Sequence, residues 1–119
     1  MSGLVQAFGI EIAIIYQRAA KPKSYGTLYW QLNDAWPAIS WSSIDYYGRW
    51  KPLQYMAKRL YPNIAIFCLD GVVKAINDNL YPVDTIAIVK VMSFSGKVLF
   101  EKQTEVRLEV NQVKNVATL

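Results

Sequence analysis

At Pro62 the spacing of apolar residues changes, and the change divides the chain into two kinds of structure. Before it, Leu4, Phe8, Ile12, Ile15 and Ala19 recur every three or four residues, the period of a helix with one covered face. The stripe widens through Ile10, Ala13 and Ile14, so the helix predicted over 4–20 needs a large neighbour to cover it. Arg18 and Lys21 suit the negative C-terminal end of its dipole, and Pro22 stops it. Residues 27–32 are apolar at nearly every position, the pattern of a parallel strand buried on both faces. A long loop over 33–49 leads to a second predicted helix over 50–60, with Pro52 in its first turn and Leu53, Met56, Ala57 and Leu60 facing inward. Helix, strand, loop and helix is the rhythm of an α/β unit.

After Pro62 the pattern changes to short strand-like runs, with residues alternating between faces over 86–91 and 106–110. Short strands are predicted over 64–69, 72–76, 85–92, 97–101 and 106–110. Turn signals separate them at Asp70-Gly71, Asn77-Asp78-Asn79, Tyr81-Pro82 and Ser95-Gly96. This half reads as an antiparallel sandwich with about five strands, against about seven in an immunoglobulin-type domain. The boundary falls at 61–63.

Composition excludes several classes. With 53% hydrophobic residues in 119, the chain has the means to bury a core. Its net charge of +4 is spread over separated basic residues, without the focused stripe that nucleic-acid binding needs. No apolar run is long enough to span a membrane, and the first residues lack the basic region and cleavage site of a signal peptide. The single cysteine, Cys68, lies in the apolar run 64–69 and is expected to be a buried, inert thiol. Histidine is absent, which removes triads built on it and Cys/His zinc spacing. No metal or other cofactor is expected.

All four tryptophans, Trp30, Trp36, Trp41 and Trp50, fall within 26–50, beside Tyr29, Tyr46 and Tyr47. Aromatics mixed with amides and an acid suit a pocket for a polar ring such as a sugar. Trp30, in the C-terminal half of the predicted strand, stands where β/α barrels concentrate substrate contacts. Asn33 and Asp34 fit equally well as polar contacts there or as braces for the loop. Trp41 fits either a contact or packing, while Trp50, at a helix start, fits core or interdomain packing better. Hydrolysis of a glycoside with retention needs two carboxyl groups about 5 Å apart. Asp34 is the one acid in an active-site position. Asp45 reads better as a loop-ordering contact to Arg49 or to backbone N–H groups, and the remaining acids sit in a helix, at turns or on a solvated sheet face.

The segment Leu28-Tyr29-Trp30-Gln31-Leu32-Asn33-Asp34, with Trp41-Ser42-Ser43-Ile44-Asp45-Tyr46-Tyr47-Gly48-Arg49-Trp50-Lys51 behind it, resembles the eighth-strand region of β-mannosidases in glycoside hydrolase family 2. The likeness continues through Leu53, Tyr55, Ala57, Lys58, Arg59 and Tyr61, and again at Asn77-Asp78 and Phe94-Ser95-Gly96-Lys97-Val98-Leu99. It implies an α+β fragment: the last helix–strand–helix of a (β/α)8 barrel in 1–62, then part of an immunoglobulin-like antiparallel β-sandwich in 63–119. It also implies a retaining enzyme that removes terminal β-linked mannose. The family's two catalytic glutamates follow its fourth and seventh barrel strands. Helix 4–20 would follow the seventh, so both would precede Met1, and no catalytic residue is expected in this chain. Trp30 matches the tryptophan that forms an apolar wall under the sugar, with Asn33 and Asp34 as the polar pair beside it. Trp41 completes the candidate substrate contacts. The expected partners are a β-mannoside or manno-oligosaccharide and the remainder of the barrel, and the isolated chain is expected to self-associate. A different reading makes the chain a stand-alone carbohydrate-binding or interaction module that uses the aromatic loop over 29–50.

Overall fold

The computed structural model describes residues 2–119, which form two units, 2–62 and Asn63–Leu119. In the first, helix α1 (Ser2–Ala19) packs against helix α2 (Pro52–Leu60). Proline at the start of α2 leaves no donor wasted, and Lys58 and Arg59 sit in its last turn, where the dipole favours them. Arg18 ties the two helix ends together. Its side chain is buried, Nη1 donates to the Leu60 carbonyl and Nη2 to the Pro62 carbonyl at 2.7 Å. The Leu60 carbonyl is an acceptor that the C-terminal end of a helix leaves open, and Pro62 lies just past that end.

The line that α1 buries differs from the one its widest apolar stripe suggests. Ala7, Ile14, Arg18 and Ala19 are buried, while Leu4, Val5, Phe8, Ile12 and Tyr16 are exposed. A nine-residue α2 covers only a narrow strip, so the large neighbour that the stripe calls for is not supplied by the described residues.

Residues 27–32 form no strand, a correction to the helix–strand–helix expectation. A parallel strand exists only through hydrogen bonds to strands beside it, and among the described residues this segment joins no sheet. It is extended and irregular. Its far end is held by the returning loop: the Leu32 carbonyl accepts from Ser43 and Ile44 N–H, and Asp34 N–H donates to the Ile44 carbonyl at 3.0 Å. Isolated bridges link Asn33 to Ile44 and Ile44 to Trp50.

The second unit is built of five strands: β1 (Ile64–Leu69), β2 (Val72–Asn77), β3 (Val83–Met92), β4 (Val98–Leu108) and β5 (Val113–Thr118). One sheet runs β1-β2-β5 and the other β3-β4, all antiparallel. Ala75, Ala87, Val106 and Leu108, with Val116 against them, form the core between the sheets. Asp70 and Gly71 both take positive φ, the requirement of the tight turn that joins two twisted strands. Charged pairs stand directly opposite across β3 and β4, Lys90 with Glu101 at 3.0 Å and Arg107 with Asp84 at 2.9 Å, and help to fix that register.

Three strand expectations need correction. The two strands predicted over 97–101 and 106–110 are one, β4, because the polar run Lys102-Gln103-Thr104 keeps pairing with Val89, Ile88 and Ala87 and so carries the ladder across the gap. β5 is not among the predicted strands, since the register shift at Val73/Lys74 skips Val116 and breaks the period of two that would mark it. Cys68 is exposed, because it lies on the uncovered face of the edge strand β1.

Candidate functional site

The aromatic loop has no regular secondary structure, so local hydrogen bonds shape it. Tyr29 Oη lies 3.0 Å from Ser43 Oγ and donates to Gln54 Oε1 on α2 at 3.3 Å. Ser43 Oγ donates to the Leu32 carbonyl at 2.9 Å, and Lys51 N–H to the Ser43 carbonyl at 2.9 Å. Gln6 on α1 donates through Nε2 to the Trp41 carbonyl at 2.6 Å. Both helices thus grip the loop.

Under the loop lies a polar cluster. Lys51 Nζ donates to Asp34 Oδ2 at 2.8 Å and to Ser42 Oγ at 2.7 Å. Ser40 Oγ donates to Asp34 Oδ1. Asp34 is only 6% exposed, and Ser42 and Ser43 are fully buried. The Lys51 hydrogen bond, then that from Ser40, hold the Asp34 carboxyl below its ordinary range against the cost of burial. Asp45 behaves as the loop-ordering residue. Its Oδ1 accepts Tyr47 and Arg49 N–H, each at 2.9 Å, and its Oδ2 accepts Arg49 Nε at 2.6 Å. Burial pushes its pKa up, but the backbone and side-chain hydrogen bonds from Arg49 outweigh that and leave it lowered.

Above the cluster the aromatics face outward. Trp30 is 72% exposed, Trp36 69% and Trp41 61%. The Trp30–Gln31 peptide bond is cis. Asn33 is exposed as well, its Nδ2 donating to the Asp34 carbonyl at 3.3 Å while its own carbonyl accepts from Gln31 Nε2. Of the four candidate contacts, Trp30, Asn33 and Trp41 are therefore open to a ligand, and Asp34 lies beneath them. Trp50 is not core: it is exposed, with an edge-on contact to Tyr55 and Lys58 Nζ over its ring. Among the described residues no group of three or more His, Cys, Asp or Glu side chains is placed to hold a metal.

The arrangement presents exposed aromatic rings and an amide beside an acid, Asp34, whose two carboxylate oxygens are taken by Lys51 and Ser40. The carboxyls whose titration the structure displaces, Asp34, Asp45 and Glu101, all move downward, the last through hydrogen bonds from Gln103 and Lys90.

No family model matches the chain. It is similar to the β-mannosidase of Capra hircus, 56% identical over 41 residues, which is 34% of this chain and 5% of that enzyme. β-Mannosidase A of Aspergillus flavus is 48% identical over 44 residues, 37% of this chain and again 5% of the relative. Among solved structures, 98% of the chain superposes on 15% of the β-D-mannosidase of Dictyoglomus thermophilum, with a TM-score of 0.82 and 31% identity. The exo-chitosanase of Amycolatopsis orientalis superposes over the same 98% with a TM-score of 0.82, and at 20% identity it shows the fold alone. The chain is thus similar, over nearly all its length, to a small segment of a glycosidase.

Sequence reasoning missed Lys51, Ser40 and Ser42 as parts of this site. Lys51 had a signal. It occupies the N-cap of α2, where the positive end of the dipole disfavours a cation and where it makes no side-chain cap. A lysine at that position serves something other than the helix.

Proposed function

We propose that the chain is a segment of a retaining β-mannosidase-like glycoside hydrolase of family 2. In this reading it carries one wall of the sugar pocket, and the reacting carboxylates belong to another part of the enzyme. The observation that carries the reading is the pairing of three outward tryptophans and Asn33 with a buried support whose only acid, Asp34, is committed to Lys51. Trp30 forms the apolar floor under the sugar, Trp41 extends it, Asn33 offers the polar contact, and Asp34 belongs to the same wall from below. A sugar ring stacks on an aromatic face through its C–H groups while amides take its hydroxyls. Identity with mannosidases and the superposition on one of them support β-linked mannose as the substrate class. In the same reading residues 1–62 are the closing part of the barrel, where 27–32 would pair as the last strand once neighbouring barrel strands lie beside it, and 63–119 begin an immunoglobulin-like domain.

The test is a chimera in which residues 2–119 replace the superposed segment of the Dictyoglomus thermophilum enzyme. It should hydrolyse 4-nitrophenyl β-D-mannoside. Trp30→Ala in that chimera should lower kcat/KM by about 10- to 100-fold, the loss of 1.5–3 kcal/mol of apolar contact. A chimera that melts cooperatively yet has no turnover, or one indifferent to Trp30→Ala, would count against the proposal.

A further inference from the structure

Holding an irregular loop still costs backbone entropy at every residue, and 33–49 has no ladder or helix to offset it. One ammonium group takes that role. Lys51 Nζ reaches Asp34 Oδ2 at 2.8 Å where the loop begins and Ser42 Oγ at 2.7 Å in its middle, with Ser40 Oγ at 3.5 Å. Lys51 itself stands at the loop's end. Ser40 closes the circuit by donating to Asp34 Oδ1, and Ser42 Oγ donates a hydrogen bond to the Ile44 carbonyl at 2.9 Å. The side chains of Asp34 and Lys51 are 4% and 20% exposed, so water screens the pair weakly.

Two other uses of the cluster fail on geometry. Ser42 beside a lysine suggests an activated nucleophile, but Ser42 is fully buried and its proton is committed to a carbonyl, while Lys51 is paired as a cation. Asp34 as a direct sugar ligand would have to release contacts that occupy both its oxygens inside the protein.

We propose that Lys51 is a positioning residue for the aromatic wall, fastening the start, middle and end of the loop to one point so that Asn33, Trp36 and Trp41 are presented as a fixed surface. It acts through these residues and through Asp34, never on the sugar. That the fixed surface meets a sugar rests on the function proposed above; that Lys51 fixes it does not.

The experiment therefore has two arms. In the 119-residue chain, Lys51→Met keeps the stem and removes the charge, while Lys51→Arg keeps the charge. Chymotryptic cleavage after Trp41 should become at least about tenfold faster in Lys51→Met, since cleavage follows the population of the open loop, and quenching of tryptophan emission by acrylamide should rise with it. Lys51→Arg should retain most of the protection. If Lys51→Met loses its helical circular dichroism, the Lys51→Arg result alone decides. Parent-like protection in a folded Lys51→Met, or an Lys51→Arg loop as open as the Met loop, overturns the proposal. In the chimera, Lys51→Met should raise KM for the nitrophenyl mannoside about tenfold or more, with Lys51→Arg restoring it, because a displaced wall weakens binding. A loop that opens as described in a chimera without turnover would sink the sugar reading and leave the latch standing.

Discussion

At the scale of single residues, the Asp34 carboxylate decides how the loop responds to pH. Its folded pKa lies below the ordinary value of 3.8, chiefly because Lys51 and then Ser40 donate to the charged form. A group whose pKa is lowered on folding contributes stability above its unfolded value, and that contribution is lost as pH falls through the folded one. The loop of the parent chain should therefore stay protected from cleavage at neutral pH and loosen only below pH 3.8. An acid-stable protease is the probe. Asp34→Asn should be loosened already at neutral pH, because it leaves the Lys51 cation without its carboxylate, and its protection should change little between neutral pH and 3.8. A parent loop that opens between pH 5 and 7 would contradict the assignment.

At the scale of elements, Asn77 does for the sandwich what Lys51 does for the loop. It is fully buried at the end of β2, and its Nδ2 donates to the Tyr81 carbonyl at 2.9 Å and the Glu109 carbonyl at 3.0 Å. Its Oδ1 accepts Asn79 N–H at 2.9 Å. Asn77→Ala strands these backbone groups away from water and should cost the second unit about 1–3 kcal/mol in urea unfolding; a loss under 0.5 kcal/mol would say that the groups find other partners. Asn77 read in the sequence only as a turn signal, since burial of an amide is a tertiary fact. The strands flanking Asp70-Gly71 were legible because short apolar runs and turn chemistry agree there. β5 was not, because a bulge at Val116 cancels the period on which such reading depends. The strand over 27–32 was misread for the opposite reason: its composition suits burial on both faces, and composition cannot say whether pairing strands are at hand. Trp30, Asn33 and Trp41 were legible as candidates from residue type and position. Lys51 was not, because its partners lie nine and seventeen residues away and meet only when the loop folds back.

At the scale of the whole molecule, the chain exposes apolar surface that single helices of free-standing domains seldom leave open. On one side of the helix pair, Leu4, Val5, Phe8, Trp50, Tyr55 and Met56 line a groove of about 860 Å³. The isolated chain should self-associate through that face, and light scattering should show Phe8→Glu together with Leu4→Gln shifting it toward monomer; a parent chain monomeric at high concentration would contradict this. The same exposure accords with a segment that covers 5% of the relatives it matches in sequence and 15% of the mannosidase it matches in structure. A wall without its reacting groups is the centre of the account, and the most direct test is a rate. The purified 119-residue chain, given 4-nitrophenyl β-D-mannoside, should release nitrophenol no faster than buffer does. Turnover above buffer that Asp34→Asn abolishes would mean that the carboxylate assigned to the latch does the chemistry, and would contradict the account.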